Sequence, residues 1–250
     1  MSSRNRSATA KWNIFFHVTT MLIISISGLV TLPIYLAHID IAQYGAWLAT
    51  GNIIGWAMMV DPGLSAVTQQ RVAAAYGAND LSLVGKRACV GISLNCAIAL
   101  FMALIASVLV LYIPDLLALD HTSPVDLEQL QQAAWLSSVG LFFTVGAYAI
   151  TASNSAILGS VFIGTTFNLG LILAVLLQIY LVIEGWGILG IGLAAMIRGI
   201  FFFFGNVVYL CYRFTREKIG FCFDFKEAKQ AIGLTGFTFM SKATEAVAEN

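Results

Sequence analysis

The chain alternates between long apolar runs and short polar loops. Trp12–Ala37 carries no Asp, Glu, Lys or Arg over 26 residues, and a spanning helix needs only about 20. Ile41–Val60 is a second run, after which polarity rises from Asp61 to Gly77. Ala88–Ile113 is a third, closed by Pro114 and Asp115. Leu130–Ile183 is uncharged over 54 residues. As one helix it would be about 81 Å long, far more than a bilayer, so it must fold back. Ser153, Asn154, Ser155 and Gly159 place the break within Thr151–Gly159 and make two spans of it. Gly185–Tyr212 is the last run, interrupted only by Arg198. The pattern predicts an all-α fold, a polytopic membrane helix bundle with six transmembrane helices over residues 12–212. Ala231–Ala248, moderately apolar with Lys242 and Glu245, is either the start of a seventh helix or a short amphipathic tail.

Charge sorts by loop. Twelve of the 13 Lys and Arg lie in the odd-numbered loops: Arg4, Arg6 and Lys11; Arg71, Lys86 and Arg87; Arg213, Arg216, Lys218, Lys226, Lys229 and Lys242. The charged residues of the even loops are all acids: Asp40; Asp115, Asp120, Asp126 and Glu128; Glu184. Positive charge in short loops stays in the cytoplasm. Residues 1–11 are therefore a cytoplasmic N-terminus, and 213–250 a second cytoplasmic segment. Within it Lys218–Lys229 interleaves charge with Phe221, Phe223 and Phe225, the pattern of a segment lying at the membrane surface. The first run is too long for a signal-peptide core of roughly 7–15 residues and reads as a retained helix.

Composition agrees with the runs and narrows the chemistry. The chain is 59% hydrophobic and 10% charged, with net charge zero; soluble domains carry about 25% charge. A neutral chain gives no nucleic-acid signal. Cys89, Cys96, Cys211 and Cys222 have neither disulfide nor metal spacing and read as packing residues. His17, His38 and His121 lie in different elements. There is no phosphate loop and no nucleophile motif. No enzyme activity, metal or cofactor is expected.

Candidate function rests on polar residues inside the runs. Arg198 has 13 residues before it in its run and 14 after it, roughly 20 Å of helix on each side, too far to snorkel. A mid-helix arginine costs about 2.5–3.5 kcal/mol on insertion scales. It either faces a hydrated cavity or an acidic partner, or is a structural cation on neighbouring carbonyls. Asp61 opens a polar stripe with Ser65, Thr68 and Gln69. It is a cavity wall, a proton site or a hinge, or else an ordinary interfacial acid. Pro62 removes a backbone donor and predicts a kink, and Gly63 adds backbone freedom. Depth along the two helices argues against a direct Asp61–Arg198 pair. Asn52, Asn95, Asn168 and Asn206 suit interhelical hydrogen bonds, and Asn52 and Asn168 are also substrate-binding candidates. Pro33 predicts a kink near the far end of the first span.

Several segments resemble one family. Pro33-Ile34-Tyr35 with Tyr44-Gly45-Ala46-Trp47-Leu48 is similar to the first extracytoplasmic hairpin of polysaccharide (O-antigen-type) flippases, of the multidrug/oligosaccharidyl-lipid/polysaccharide exporter superfamily. Asp61-Pro62-Gly63-Leu64, then Arg71 and Ala73-Ala74-Ala75-Tyr76-Gly77, resembles that family's Asp-x-Gly-Leu element and the basic residue closing span two. Gly185-Trp186-Gly187-Ile188-Leu189-Gly190 is similar to its Gly-rich approach to span six. Pro62 and the chargeless linker Asn154–Asn168 depart from the family's usual pattern.

The resemblance implies the N-terminal lobe of a two-lobe alternating-access transporter in a bacterial inner membrane. The substrate would be an undecaprenyl-pyrophosphate-linked oligosaccharide, with a proton or sodium ion as coupling ion and glycan polymerase machinery as a further partner. Arg198 would attract the pyrophosphate or acidic sugars, and Asp61 would gate or carry the coupling proton. Two other readings stay open: a cation-coupled drug antiporter of the same superfamily, and a non-transporting membrane assembly subunit.

Overall fold

The computed structural model describes residues 3–58, 63–119 and 125–248, with side chains over 11–51, 63–119 and 125–236. Its elements are α1 (Ser3–His38), α2 (Ile41–Met58), α3 (Leu64–Gly77), α4 (Leu81–Leu111), the single turn α5 (Ile113–Leu116), α6 (Leu127–Ala156), α7 (Ser160–Ile183), α8 (Ile188–Glu217) and α9 (Phe225–Ala248). No strand occurs among the described residues. The fold is all-α, and five helices are long and apolar enough to cross a membrane: α1 from Lys11, α4, α6, α7 and α8.

Helix boundaries follow local chemistry. Asp40, Asp80 and Asp126 each place a carboxylate oxygen on the first free backbone N–H groups of α2, α4 and α6, accepting from Ala42, Leu83 and Gln129 at 2.8–3.0 Å. The uncharged 54-residue run breaks where expected. Leu158 takes a left-handed conformation (φ 65), Gly159 donates to the Asn154 carbonyl, and α7 restarts at Ser160. Gly185 (φ 87) and Gly187 (φ 53) make the turn before α8, using backbone space that side chains rarely occupy. Helix α1 continues through Pro33 to His38.

Some boundaries differ from the apolar runs. Helix α4 begins at Leu81, so Lys86 and Arg87 sit on its early turns rather than in a loop. Helix α8 runs on to Glu217, through the charged stretch after Tyr212. Charged side chains at a helix end project outward, so the helix outlasts its apolar face. The polar stretch before Gly77 is a helix of its own, because Gly63 stands at φ 87 immediately before Leu64.

Helix α6 is the hub, packed by α8, α4, α3, α2 and α7. Its contact with α8 is backbone to backbone. A Cβ on Gly192 would lie 2.5 Å from the Ala133 carbonyl oxygen, and one on Gly140 would lie 2.7 Å from that of Ala195. Gly199 closes on the Gly140 carbonyl in the same way. Ala133 and Gly140 are seven residues apart on α6, as Gly192 and Gly199 are on α8, so two parallel helices meet at matched levels. Such small-residue seams are how helices associate where lipid tails remove the hydrophobic drive.

Polar ties fasten the other pairs. The buried Asn95 amide donates to the Val145 and Gly146 carbonyls at 2.7 and 3.2 Å, holding α4 on α6. Asn154 donates to the Asn206 carbonyl at 3.1 Å, and Asn206 donates to Thr166 Oγ1 at 3.4 Å, joining α6, α8 and α7.

The connections gather at two ends of opposite charge character. At one, Gln43 exchanges hydrogen bonds with the Asp126 backbone at 2.7 and 3.0 Å, beside Asp40. At the other, Arg71 and Arg87 both bind Glu227, and Lys86 pairs with Asp224 at 3.3 Å. The first is called the acidic end below and the second the basic end.

Gly199→Val places a branched side chain against the Gly140 carbonyl. Overpacking of this kind should cost about 1–3 kcal/mol, read as a lowered thermal midpoint of the detergent-solubilised protein. Gly28→Val is the matched control, since a Cβ there meets nothing within 4 Å. Equal midpoints for the two variants would show that the α6–α8 seam is not tight.

Candidate functional site

A cleft of about 470 Å³ with both polar and apolar walls opens among α1, α3, α6 and α7. Helix α6 supplies Tyr148, Thr151, Ala152 and Ser155, which share a face at helical spacing. Helix α3 supplies Ser65, Ala66 and Gln69; α1 supplies Asn13 and Phe16; α7 supplies Ser160, Ile163 and Gly164. Gln69 donates to Ser155 Oγ at 3.1 Å and so links two walls. Thr151 returns its hydroxyl proton to the Tyr148 carbonyl at 2.9 Å. Ser160, 6% exposed, has no hydrogen-bond partner for its hydroxyl among the described residues. A buried hydroxyl without a partner costs roughly 1–3 kcal/mol, an expense that water or a ligand in the cleft would relieve.

The described lining is uncharged: hydroxyls, amides and two aromatic rings, set among the small or aliphatic Ala66, Ala152, Ile163 and Gly164. Its depth follows from helical rise. Ser155 is one residue from the α6 terminus at the basic end, and Tyr148 lies about 10 Å further in. The cleft thus runs from the basic end toward mid-bundle, with Tyr148 at its inner limit.

Arg198 lies beneath that limit. It sits about 15 Å along α8 from Ile188, on the side facing α7, where its Cγ would lie 3.9 Å from a Cβ on Gly170. The guanidinium is partly buried and within electrostatic range of the Tyr148 hydroxyl. No hydrogen bond or ion pair joins it to another described residue. Phe202 is buried one turn on, edge-to-face against Phe167 at 5.3 Å.

The other candidates are scattered. The Asn168 side-chain oxygen Oδ1 accepts from Thr20 Oγ1 at 2.6 Å, which ties α7 to α1, while its buried Nδ2 has no partner among the described residues. Asn52 lies on α2, and its side chain is outside the described set. Asp61 and Pro62 also lie outside the described residues. Gly63 supplies the left-handed residue that starts α3, and α3 carries Ser65 and Gln69 into the cleft. Pro33 lies on α1 near the acidic end, away from the cleft.

Sequence reasoning misses Tyr148, Thr151, Ser155, Ser160 and Asn13 as lining residues. A hydroxyl stripe at positions 148, 151 and 155 was present in the sequence, but inside an apolar run it resembles ordinary helix-packing polarity.

Outside the cleft's lining, ion pairs at the basic end join α3 and α4 to the start of α9. Arg71 and Arg87 converge on Glu227, and Arg71 also donates to the Glu227 carbonyl at 3.0 Å and to Gln230 at 3.1 Å. Burial pulls the Arg71 pKa below its ordinary value, opposed by Glu227 and assisted by Arg87. The Asp224 carboxyl is held below the usual aspartate value by the backbone N–H of Lys226 and by Lys86. These contacts hold the start of α9 against α3 and α4.

No protein-family model, curated protein or solved structure matches the chain.

A hydrated cleft makes a direct chemical prediction. In a background without native cysteines, Ser155→Cys should react with a small water-soluble maleimide much faster than Ser138→Cys, which is 1% exposed at the α6 core. Equal slow rates at both positions would mean the cleft is closed to water.

Proposed function

We propose that the chain is the N-terminal lobe of a transporter that flips a lipid-linked oligosaccharide across a bacterial inner membrane by alternating access. In this reading α2 is the second of six spans, although it is only 18 residues long, about 27 Å at helical rise and short of the usual length. The basic end lies in the cytoplasm, following the positive-inside rule. The motifs around Pro33, Asp61–Gly77 and Gly185–Gly190 resemble those of the polysaccharide flippases.

The observation that carries the reading is the cleft ending at Tyr148 with Arg198 beyond it. Hydroxyls, amides and two aromatic rings suit a neutral, hydroxyl-rich glycan, which offers many donors and acceptors and apolar sugar faces. A pyrophosphate has different needs. It cannot cross about 30 Å of hydrocarbon unaided and requires a buried cation on its route. Arg198 is a cation at that depth whose charge no described acid neutralises. Asp61 would then gate the mouth or carry the coupling proton, from the residues just before Gly63.

Removing a charge-assisted contact of about 1.5–3 kcal/mol corresponds to a loss of roughly tenfold to a hundredfold. Arg198→Ala should lower export of surface glycan by that factor in a cell depending on this protein, with membrane insertion unchanged. Full export by Arg198→Ala would remove the residue from the mechanism. Drug resistance without any glycan phenotype would favour a cation-coupled antiporter instead.

A further inference from the structure

The segment from Arg216 to Ile232 separates its charges by direction. Each of its acids is engaged inward: Glu217 by Arg213, Asp224 by Lys86, and Glu227 by Arg71 and Arg87. Its remaining cations, Arg216, Lys218, Lys226 and Lys229, are exposed, and none is in an ion pair among the described residues. The apolar side chains divide in the same way. Ile219, Ala228 and Ala231 are buried, and Gly220 closes on Gly85 of α4. Phe221, Phe223 and Phe225 are 51%, 43% and 84% exposed. Phe221 stacks on Phe214 at 4.7 Å, and Phe223 meets Phe225 edge-to-face at 5.3 Å, so the three rings are braced. On α9, Phe225, Lys229 and the exposed Ile232 share a face that flanks the buried Ala228 and Ala231.

We infer that this outward face docks on anionic lipid headgroups at the basic-end surface of the bilayer, with the phenylalanines in the interfacial layer and the four cations on phosphates. The inward ion pairs are what make the surface selective. An amphipathic segment with unpaired acids on its outer face would be indifferent to lipid charge, whereas here each acid is paired and the charges left unpaired are all cations. Four to eight Lys and Arg beside a membrane helix are enough for recognition of anionic lipid, and partly exposed aromatics on the same face supply apolar insertion. The occupant is a lipid surface rather than a nucleic acid or an acidic protein because the cations flank an apolar ridge that begins where the spanning helix α8 ends.

Hydrogen exchange tests it. The intact protein is placed in nanodiscs of phosphatidylcholine alone, or of phosphatidylcholine with phosphatidylglycerol, and amide exchange is followed over residues 219–226. The expected result is exchange slowed several-fold by phosphatidylglycerol, with no such change in α6. High salt should remove the difference, because screening shortens to about 3 Å at 1 M. The combined variant K218Q/K226Q/K229Q should exchange at the phosphatidylcholine rate in both lipids. If that variant fails to fold, the salt dependence of the unaltered protein decides the matter. Equal exchange in the two lipids, or a difference that survives high salt, would overturn the proposal.

Discussion

Helices α6 and α8 touch through their backbones, and the rest of the bundle is arranged around that contact. Ala133 and Gly140 on one helix meet Gly192, Ala195 and Gly199 on the other. In hydrocarbon there is little gain from hiding leucine against leucine, so close packing and interhelical hydrogen bonds must hold helices together. A seam without side chains brings the two axes close enough for α4, α3 and α7 to pack around α6. It also fixes the level of every α8 residue against α6. That register sets Arg198 below Tyr148, and sets Asn206 where Asn154 can reach its carbonyl.

The two ends of the bundle are built differently. The acidic end is closed by caps and by the Gln43–Asp126 exchange, with a dense apolar core beneath it that includes Ile113, Leu130 and Ile188. Toward the basic end the same bundle parts, and polar side chains line the opening. Helix α3 forms one wall of that opening. It starts at the left-handed Gly63 and is held at its middle by Arg71 on Glu227. Its position is thus tied by ion pairs to the start of α9. The cleft, the Glu227 clamp and the cationic Phe221–Phe225 face all belong to one end of the molecule.

Much of the architecture was legible because the bilayer imposes a length and a polarity on each segment. The long apolar runs became helices, and the break inside Leu130–Ile183 fell at Ile157–Gly159 between polar residues that hydropathy alone exposed. The single charge at position 198 stood out for the same reason. The cleft was not legible. Hydroxyls such as Tyr148 and Ser155 have nearly the same signature whether they pack, bond to their own helix or line water. Nor was the α6–α8 seam, because glycine and alanine carry little hydropathy signal and their use depends on which helices meet. The Glu227 clamp depends on a pairing across 156 residues, which no local pattern records. Charge counting assigned those arginines to orientation, and the structure gives Arg71 and Arg87 a packing role as well.

In the proposed arrangement the bilayer separates the acidic end from the basic end. Labelling single cysteines with a membrane-impermeant reagent tests this directly, using Glu128→Cys for one end and Lys218→Cys for the other in a background lacking Cys89, Cys96, Cys211 and Cys222. Intact cells should label only the cysteine at position 128, and inverted vesicles only the one at 218. Labelling of both positions from the same side would contradict the arrangement on which the cleft, Arg198 and the lipid-facing segment all depend.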